Sequence, residues 1–593
     1  MAKGTRAESA GAIAGLGFLA AIAVLIGAFL PPVPSGPLFV GAGAETPQRG
    51  GIFVAFTEVD VRWFDPLRAT DAVSNIGIKL MFEGLIEHDH DLELVPRLAR
   101  ELPTVSDDAL TYTFRLREGV LFHHGREVVA EDVRWSLERM LLPSTGSPGA
   151  PMFALVEGIE DYTEGRAPHV RGIRVIDRYT IEIQLSRPDQ TFLHAMALPS
   201  AMPVPRELYD GREDEFARSP VGTGAFVFES WEPGVRVTFR RNPSFFREGE
   251  PYLDGLVLEL NLQRGPAFMR FQSAQLDHIH RFTSTDYIWL MRQEAWRPYI
   301  SSEPLVDIWG LFMNNGIPPF DDVHVRRAVA FALDRDRWNI ARANRLLPTG
   351  QPIPPALAGY DPELPEAQRF DLARAREEMA LAGHPVRCTD QGDGTETCVA
   401  EGLEEVELWT GEGPTGQAYG VLAQQDLAAI GMRVRLRPVA FPLLLQQSSR
   451  EGSVPFIFWG YSMDYPDAAG IVEPLFHSRG ATATDATNRT FYRNPEVDRL
   501  LDAARVERDP VRRTALFREV NGIIAHDAPW AFIFSNLKVE AWQPYVRNYR
   551  PHPVWDEMYR DVWLDLPRRR AARAPDRADA SPLGAIAPLG GAR

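Results

Sequence analysis

Lysine is nearly missing from this 593-residue chain, occurring only as Lys3, Lys79 and Lys538. None of the three stands in a GxxxxGK(S/T) loop, so a Walker-type nucleotide site is excluded. Acidic residues outnumber basic ones, 80 to 63, and the net charge is −17. That balance argues against a nucleic-acid partner, because such binding draws its affinity from cations that neutralise phosphates. Cysteine is scarcer still, with Cys388 and Cys398 alone, and neither a C-x-x-C spacing nor a histidine cluster beside them suggests a redox pair or a metal site. The zinc-protease motif HExxH is absent. No motif calls for a cofactor or a metal.

What is present is the composition of a packed protein: 45% hydrophobic, 24% charged, with 13 Trp and 32 Phe, far too apolar for a disordered chain. The length predicts two or three packed lobes. Lys3 and Arg6 precede an apolar run from Gly11 to Leu30, and Ala42-Gly43-Ala44 stands ahead of Glu45. This reads as an export signal over residues 1–44, cleaved near Glu45; the alternative is an uncleaved anchor, since about 20 apolar residues also span a bilayer. No cysteine near the cleavage point offers a lipid anchor. In an oxidising compartment, Cys388 and Cys398, flanking the turn-rich Gly392-Asp393-Gly394, are read as a local disulfide closing a hairpin.

Periodicity supplies the elements. Leu110, Tyr112, Phe114 and Leu116 alternate with polar residues as in a half-buried strand, and the same period recurs at Tyr179 to Leu185 and Val235 to Phe239. Helical spacing appears at Val133, Leu137, Met140 and Leu141, and again at Val325, Val329, Ala332 and Leu333. The third quarter predicts a β-α-β unit: strand Val406 to Trp409, a helix ending near Ile430 with Gly431 as its stop, then Met432, Val434 and Leu436 as a second strand. Val454 to Trp459 is a continuous apolar run, as expected of a strand buried on both faces. Pro567 to Arg593, rich in Arg, Ala, Pro and Gly, predicts a disordered tail.

Two features invite an enzymatic or metal reading. His88 with His90, His123 with His124, and His278 with His280 form pairs, but a site needs three or four convergent ligands; the expectation is polar surface histidines. Gly460-Tyr461-Ser462-Met463-Asp464 is similar to the hydrolase elbow G-x-S-x-G, but Asp464 replaces the final glycine and its Cβ would resist the tight turn. A secreted hydrolase is therefore the disfavoured alternative.

Longer blocks carry a resemblance. Val221-Gly222-Thr223-Gly224-Ala225-Phe226, through Trp231-Glu232-Pro233-Gly234 to Arg241-Asn242-Pro243, resembles the GTGPY, WEPG and RNP stretch of the family 5 extracellular solute-binding proteins. Val105 to Arg117 resembles the family's SDDGLTYTFxLR, and Gly119 to Arg139 its GVxFHDGxxxxAEDVxxSLER, with His124 in place of the Asp. Pro318 to Arg335 resembles PPFDDxxVRxAxxxAxDR, and Asp527-Ala528-Pro529-Trp530 the late DAPW.

The resemblance implies an α/β, two-lobed periplasmic-binding-protein-like fold of the cluster C type, with hinged lobes and an extra inserted domain. The expected division is domain I at 45–90, 217–308 and 539–566, domain II at 91–216, domain III at 309–538, and the tail at 567–593. It also implies a monomeric periplasmic receptor, not an enzyme, that delivers a peptide or another amine-bearing small molecule to the membrane subunits of an ABC importer; a sugar or metal chelate is the alternative cargo. Met463-Asp464-Tyr465-Pro466 resembles the segment in which an Asp pairs with the ligand's α-ammonium, which assigns that role to Asp464, with Tyr461 in place of a commoner Trp. A carboxylate suits the task because a desolvated ammonium must be paired. Trp409 and Trp459 are candidate apolar walls, and Asp71, in the loop after Asp65-Pro66, is a candidate from domain I. No motif singles out, among 60 arginines, one that would hold a ligand carboxylate.

Overall fold

The computed structural model describes residues 46–573 except 70, 366, 393–395, 464 and 556–557. The expected export signal at 1–44 lies outside the described residues, as does the tail from 574 onward. The chain forms two units. One is continuous, Pro304–Leu537; the other joins the chain up to Glu303 with Lys538 onward. No helix among the described residues is long and apolar enough to cross a membrane.

The discontinuous unit holds two four-stranded sheets. In one, Ile52–Phe56 pairs parallel with Gly255–Glu259, followed by Arg236–Arg241 and Phe226–Glu232 in antiparallel order. In the other, the expected alternating strand forms as Thr111–Arg115, with Tyr112 and Phe114 buried, and pairs with Thr180–Gln184. The helix Ala130–Leu141 buries its periodic Val133, Leu137, Met140 and Leu141. Asp132 accepts the Val129 N–H at 2.9 Å and closes its first turn.

The resemblance-bearing glycine stretch is a packing device. A Cβ on Gly224 would stand 2.5 Å from the Leu80 carbonyl oxygen and from the Met81 carbonyl carbon, so only glycine allows the loop to cross the end of the helix Ala72–Met81. Gly224 N–H donates to the Met81 carbonyl at 2.7 Å, Thr223 Oγ1 accepts the Glu83 N–H, and Asn242 of the Arg-Asn-Pro triplet donates to the Gly224 carbonyl.

The histidines depart from the surface expectation. His88 and His278 are fully buried, and a second imidazole stacks on each: His194 on His88, with Nε2 to Nδ1 at 2.8 Å, and His280 on His278. His278 also lies against Glu540 and Tyr559. Hydrogen bonding replaces hydration here, which sequence spacing does not report. His123 is held by the glycine loop: its Nδ1 accepts the Gly222 N–H and its Nε2 donates to the Gly224 carbonyl. The ring is therefore neutral in the fold, and burial lowers its pKa to about 4. Protonation favours the unfolded chain, whose histidine titrates near 6.5, so stability is complete above pH 6.5 and is lost as the pH falls toward 4. The loss should reach about 3 kcal/mol. His90 and His552, also lowered chiefly by burial, act in the same direction. Denaturant titrations at pH 7, 5.5 and 4.5 should show this decline for the wild type and a smaller one for His123→Gln; equal stability at pH 7 and 4.5 would contradict it.

The expected tail is corrected over its first residues. Leu566–Ala572 is a helix capped by Asp565. Arg569 is buried, donates to Asp277 at 2.8 Å and also to the Ile52 carbonyl, while Arg573 donates to Asp277 at 2.9 Å. Asp277 further accepts from Val54 N–H and Tyr545 OH. A segment with no apolar period is thus ordered by ion pairing to a buried carboxylate, a tertiary partner invisible in local composition.

In the continuous unit the β-α-β unit forms as expected. Val406–Gly411 and Val434–Val439 are parallel strands joined by the helix Pro414–Ala428, and Gly431 adopts a φ of 74°. The sheet continues through Phe456–Ser462, Asp307–Met313 and Trp530–Trp542. Leu408, Leu311, Met313, Phe456 and Phe458 pack into one core with Val325 and Val329 of the helix Val323–Ala332. Cys388 and Cys398 face one another in the hairpin of Val386–Asp390 with Glu396–Ala400 and are joined by the disulfide.

Candidate functional site

The strand Phe456–Ser462 carries the candidate residues, and its two faces differ. Phe456 and Phe458 enter the core, whereas Ile457, Trp459 and Tyr461 point to the opposite face, since alternate residues of a strand do. The run Val454 to Trp459, expected to be buried on both faces, is buried at Val454 and from Phe456 through Phe458, but Trp459 at its end, like Tyr461 beyond it, is half-buried. Opposite them in register stand Gly310 and Ile308, with Phe312 opposite Ile457.

This second face is aromatic. Phe312 stacks on Trp530, whose ring meets Phe476 of the helix Ala469–Phe476 edge-on, so that end is covered. Toward Trp459 the cover is thinner. Phe441, at the start of the helix Phe441–Ser448, stacks on Trp459 with centroids 5.3 Å apart and is itself 61% exposed. The guanidinium of Arg489 lies 5.4 Å from the same indole.

Tyr461 and Trp459 share one face of one strand, two residues apart. Trp409 is buried, its indole N–H donates to Glu407 at 3.1 Å, and Arg437 lies 4.2 Å over its ring; Glu407 also accepts from Arg435 and Arg437, and these bonds hold its pKa low. Asp71 belongs to the other unit, where Oδ1 accepts the Ser74 N–H at 2.8 Å as the cap of the helix Ala72–Met81. Its Oδ2 is buried and has no hydrogen-bond partner among the described residues. Asp464 lies outside the described residues. Gly460, the first glycine of the elbow-like segment, has a packing reason: a Cβ there would stand 2.1 Å from the Trp309 indole, which lies across it.

Arg489 was not legible in sequence. It stands in Asn488-Arg489-Thr490, where no spacing sets it apart. Its setting is a tertiary fact, a half-buried guanidinium beside an aromatic platform with no carboxylate partner among the described residues, and Arg342 over Tyr419 shares it.

Comparison with known proteins agrees with this architecture. Residues 93–483 match the family described as bacterial extracellular solute-binding proteins, family 5, middle region. The chain is 27% identical over 549 residues to di/tripeptide-binding protein 2 of Pseudomonas aeruginosa, covering 89% of this chain and 98% of that protein. It is 26% identical to the glutathione-binding protein GsiB of Salmonella typhi, over 79% of this chain and 85% of that one. The periplasmic binding protein DppA from Helicobacter pylori, solved in complex with the peptide STSA, superposes with a TM-score of 0.71 at 23% identity, covering 87% of this chain and 99% of its own. Clavulanic acid biosynthesis oligopeptide binding protein 2 does so with a TM-score of 0.77 at 24% identity, over 87% and 96%. With two thirds of its length matched by the family model, this chain belongs to the family 5 bacterial extracellular solute-binding proteins.

Proposed function

We propose that this protein is a periplasmic receptor that binds a peptide or a related amine-bearing solute and presents it to the membrane subunits of an ABC importer, without altering it chemically. The observation that carries this reading is the span of the likeness to the di/tripeptide-binding protein, which covers 98% of that relative's length and so includes whatever part of it meets ligand. A half-buried Trp459 and Tyr461 on one strand face suit a ligand with apolar side chains. Asp464 is the proposed partner of the ligand ammonium, Tyr461 and Trp459 its walls; Trp409 and Asp71 stand as further candidates. The three-domain division, export by the signal at 1–44 and a monomeric state belong to the same proposal. A sugar or metal-chelate cargo has less support, since the relatives named above bind peptides.

Native mass spectrometry of protein purified from its own host, followed by calorimetry with di- and tripeptides, tests this. The expected result is a co-purified mass that fragments as a peptide, saturable binding of peptides at 1:1, and recovery of the peptide intact. Co-purification of a sugar or metal chelate with no peptide binding would overturn the cargo, and hydrolysis of the peptide would overturn the receptor.

A further inference from the structure

We propose that the Cys388–Cys398 disulfide is an exchange site for an exported dithiol, which attacks Cys388 and expels Cys398 as a thiolate stabilised by Arg376. This holds whichever solute the receptor carries.

The bridge is within reach of an attacker. It joins facing residues of the hairpin formed by Val386–Asp390 and Glu396–Ala400. Both cysteines are half-buried, and Arg387, Thr389, Thr397 and Val399 around them are exposed. Bridges that only brace a fold are ordinarily inert inside it, whereas exposed ones are the labile kind.

The two sulfurs differ in what faces them. Arg376, on the helix Leu372–Leu381, is fixed by donation from Nε to the Ala429 carbonyl at 3.1 Å. Its Nη2 then stands 3.5 Å from Cys398 Sγ and 3.3 Å from Glu396, two residues before Cys398 and therefore on the same face of the strand. Cys388 has no such neighbour. Arg387, next to it, points to the opposite face and pairs with Glu401, and no hydrogen bond or ion pair among the described residues brings a cation to the Cys388 sulfur. A guanidinium beside a sulfur stabilises its thiolate, and the sulfur with the more stable thiolate leaves more readily. Attack therefore falls on Cys388. Were the bridge only a staple for the hairpin, its two sulfurs would be equivalent to an attacking thiol.

In the first step the attacker's thiolate bonds to Cys388 Sγ as the Cys388–Cys398 bond breaks, and the electron pair of that bond departs on Cys398 Sγ beside Arg376. A monothiol stops there, because the Cys398 thiolate, directly opposite, attacks Cys388 Sγ and expels it. A dithiol goes forward: its second thiolate closes on the first and releases Cys388. The dithiol ends as a disulfide, and the hairpin has gained two electrons and two protons.

The test uses full-length oxidised protein mixed with excess glutathione, quenched with acid at successive times, and mapped by mass spectrometry. In wild type the adduct on Cys388 should exceed that on Cys398 about fivefold, the size expected of a half-exposed charge contact. Arg376→Gln should bring the ratio to about one, and Arg376→Lys, which keeps the charge, should retain part of it. Glu396→Gln, which leaves Nη2 to the sulfur alone, should raise the ratio and speed the reaction. Dithiothreitol should carry wild type to two free thiols, whereas removal of glutathione without a quench should return the bridge. A merely structural Arg376 would alter the rate at both sulfurs alike and leave the ratio unchanged. That outcome, an even or reversed ratio in wild type, or a native bridge that dithiothreitol leaves intact would each overturn the proposal. If Arg376→Gln does not fold, the wild-type ratio and Glu396→Gln carry the test.

Discussion

Asp464→Asn should weaken binding of a peptide with a free α-ammonium at least a hundredfold while barely moving the melting temperature of the unliganded protein. The substitution keeps the shape of the side chain and removes its charge, leaving a ligand ammonium desolvated beside a neutral amide. Loss of one partner from a buried charge pair costs about 3–5 kcal/mol, and each 1.4 kcal/mol is about tenfold in affinity. Were Asp464 only a turn former ahead of Pro466, Asn would make the same local backbone bonds and affinity would hold. N-acetylated peptides separate the two cases further, since they should bind wild type and variant alike. Calorimetry with both peptide forms is the measurement, and equal affinity for the free amine in the two proteins would remove the amine-recognition role.

A second large effect is expected on stability. Glu83, 2% exposed, accepts from Arg97 at 2.8 and 3.0 Å and from Arg560 at 2.8 Å, and Arg560 also reaches Glu87. Burial alone would raise the Glu83 pKa, but the charges of Arg560 and Arg97 outweigh it and hold the carboxylate ionised. Glu83→Gln leaves two buried guanidinium groups sharing Glu87, so the discontinuous unit should lose about 3–5 kcal/mol. For a unit of this size that is a fall in melting temperature on the order of 10 °C. Replacing Glu83, Glu87, Arg97 and Arg560 together with Leu and Met should cost less than the single change, because the penalty comes from the orphaned charge rather than from the absence of the network. A single variant within 1 kcal/mol of wild type in denaturant titration would contradict the account. The carboxylate contribution also has its own pH window: Glu87 is held near pKa 2, so its share persists above about pH 4.5 and is lost below it, apart from the histidine-linked loss that begins at 6.5.

Features that depend only on neighbours along the chain were legible in its local pattern. Apolar period placed the strand around Tyr112 and Phe114, the helix bearing Val133 and Leu137, and the β-α-β unit that ends at Gly431, because each is specified within a dozen residues. The Gly-Thr-Gly and Arg-Asn-Pro blocks marked the family for a related reason: close backbone approaches tolerate few side chains, so these stretches remain recognisable even though their work is packing. Tertiary structure decided whatever depends on a partner far off in the chain. His88 and His278 look like surface residues until His194, 106 positions from His88, and Glu540, 262 positions from His278, are brought to them. Arg569 looks like part of a loose basic tail until Asp277, 292 positions away, gives it a counterion. Local patterning records where a side chain points, but whether a charge is paired, buried or left open is set by groups that folding alone assembles.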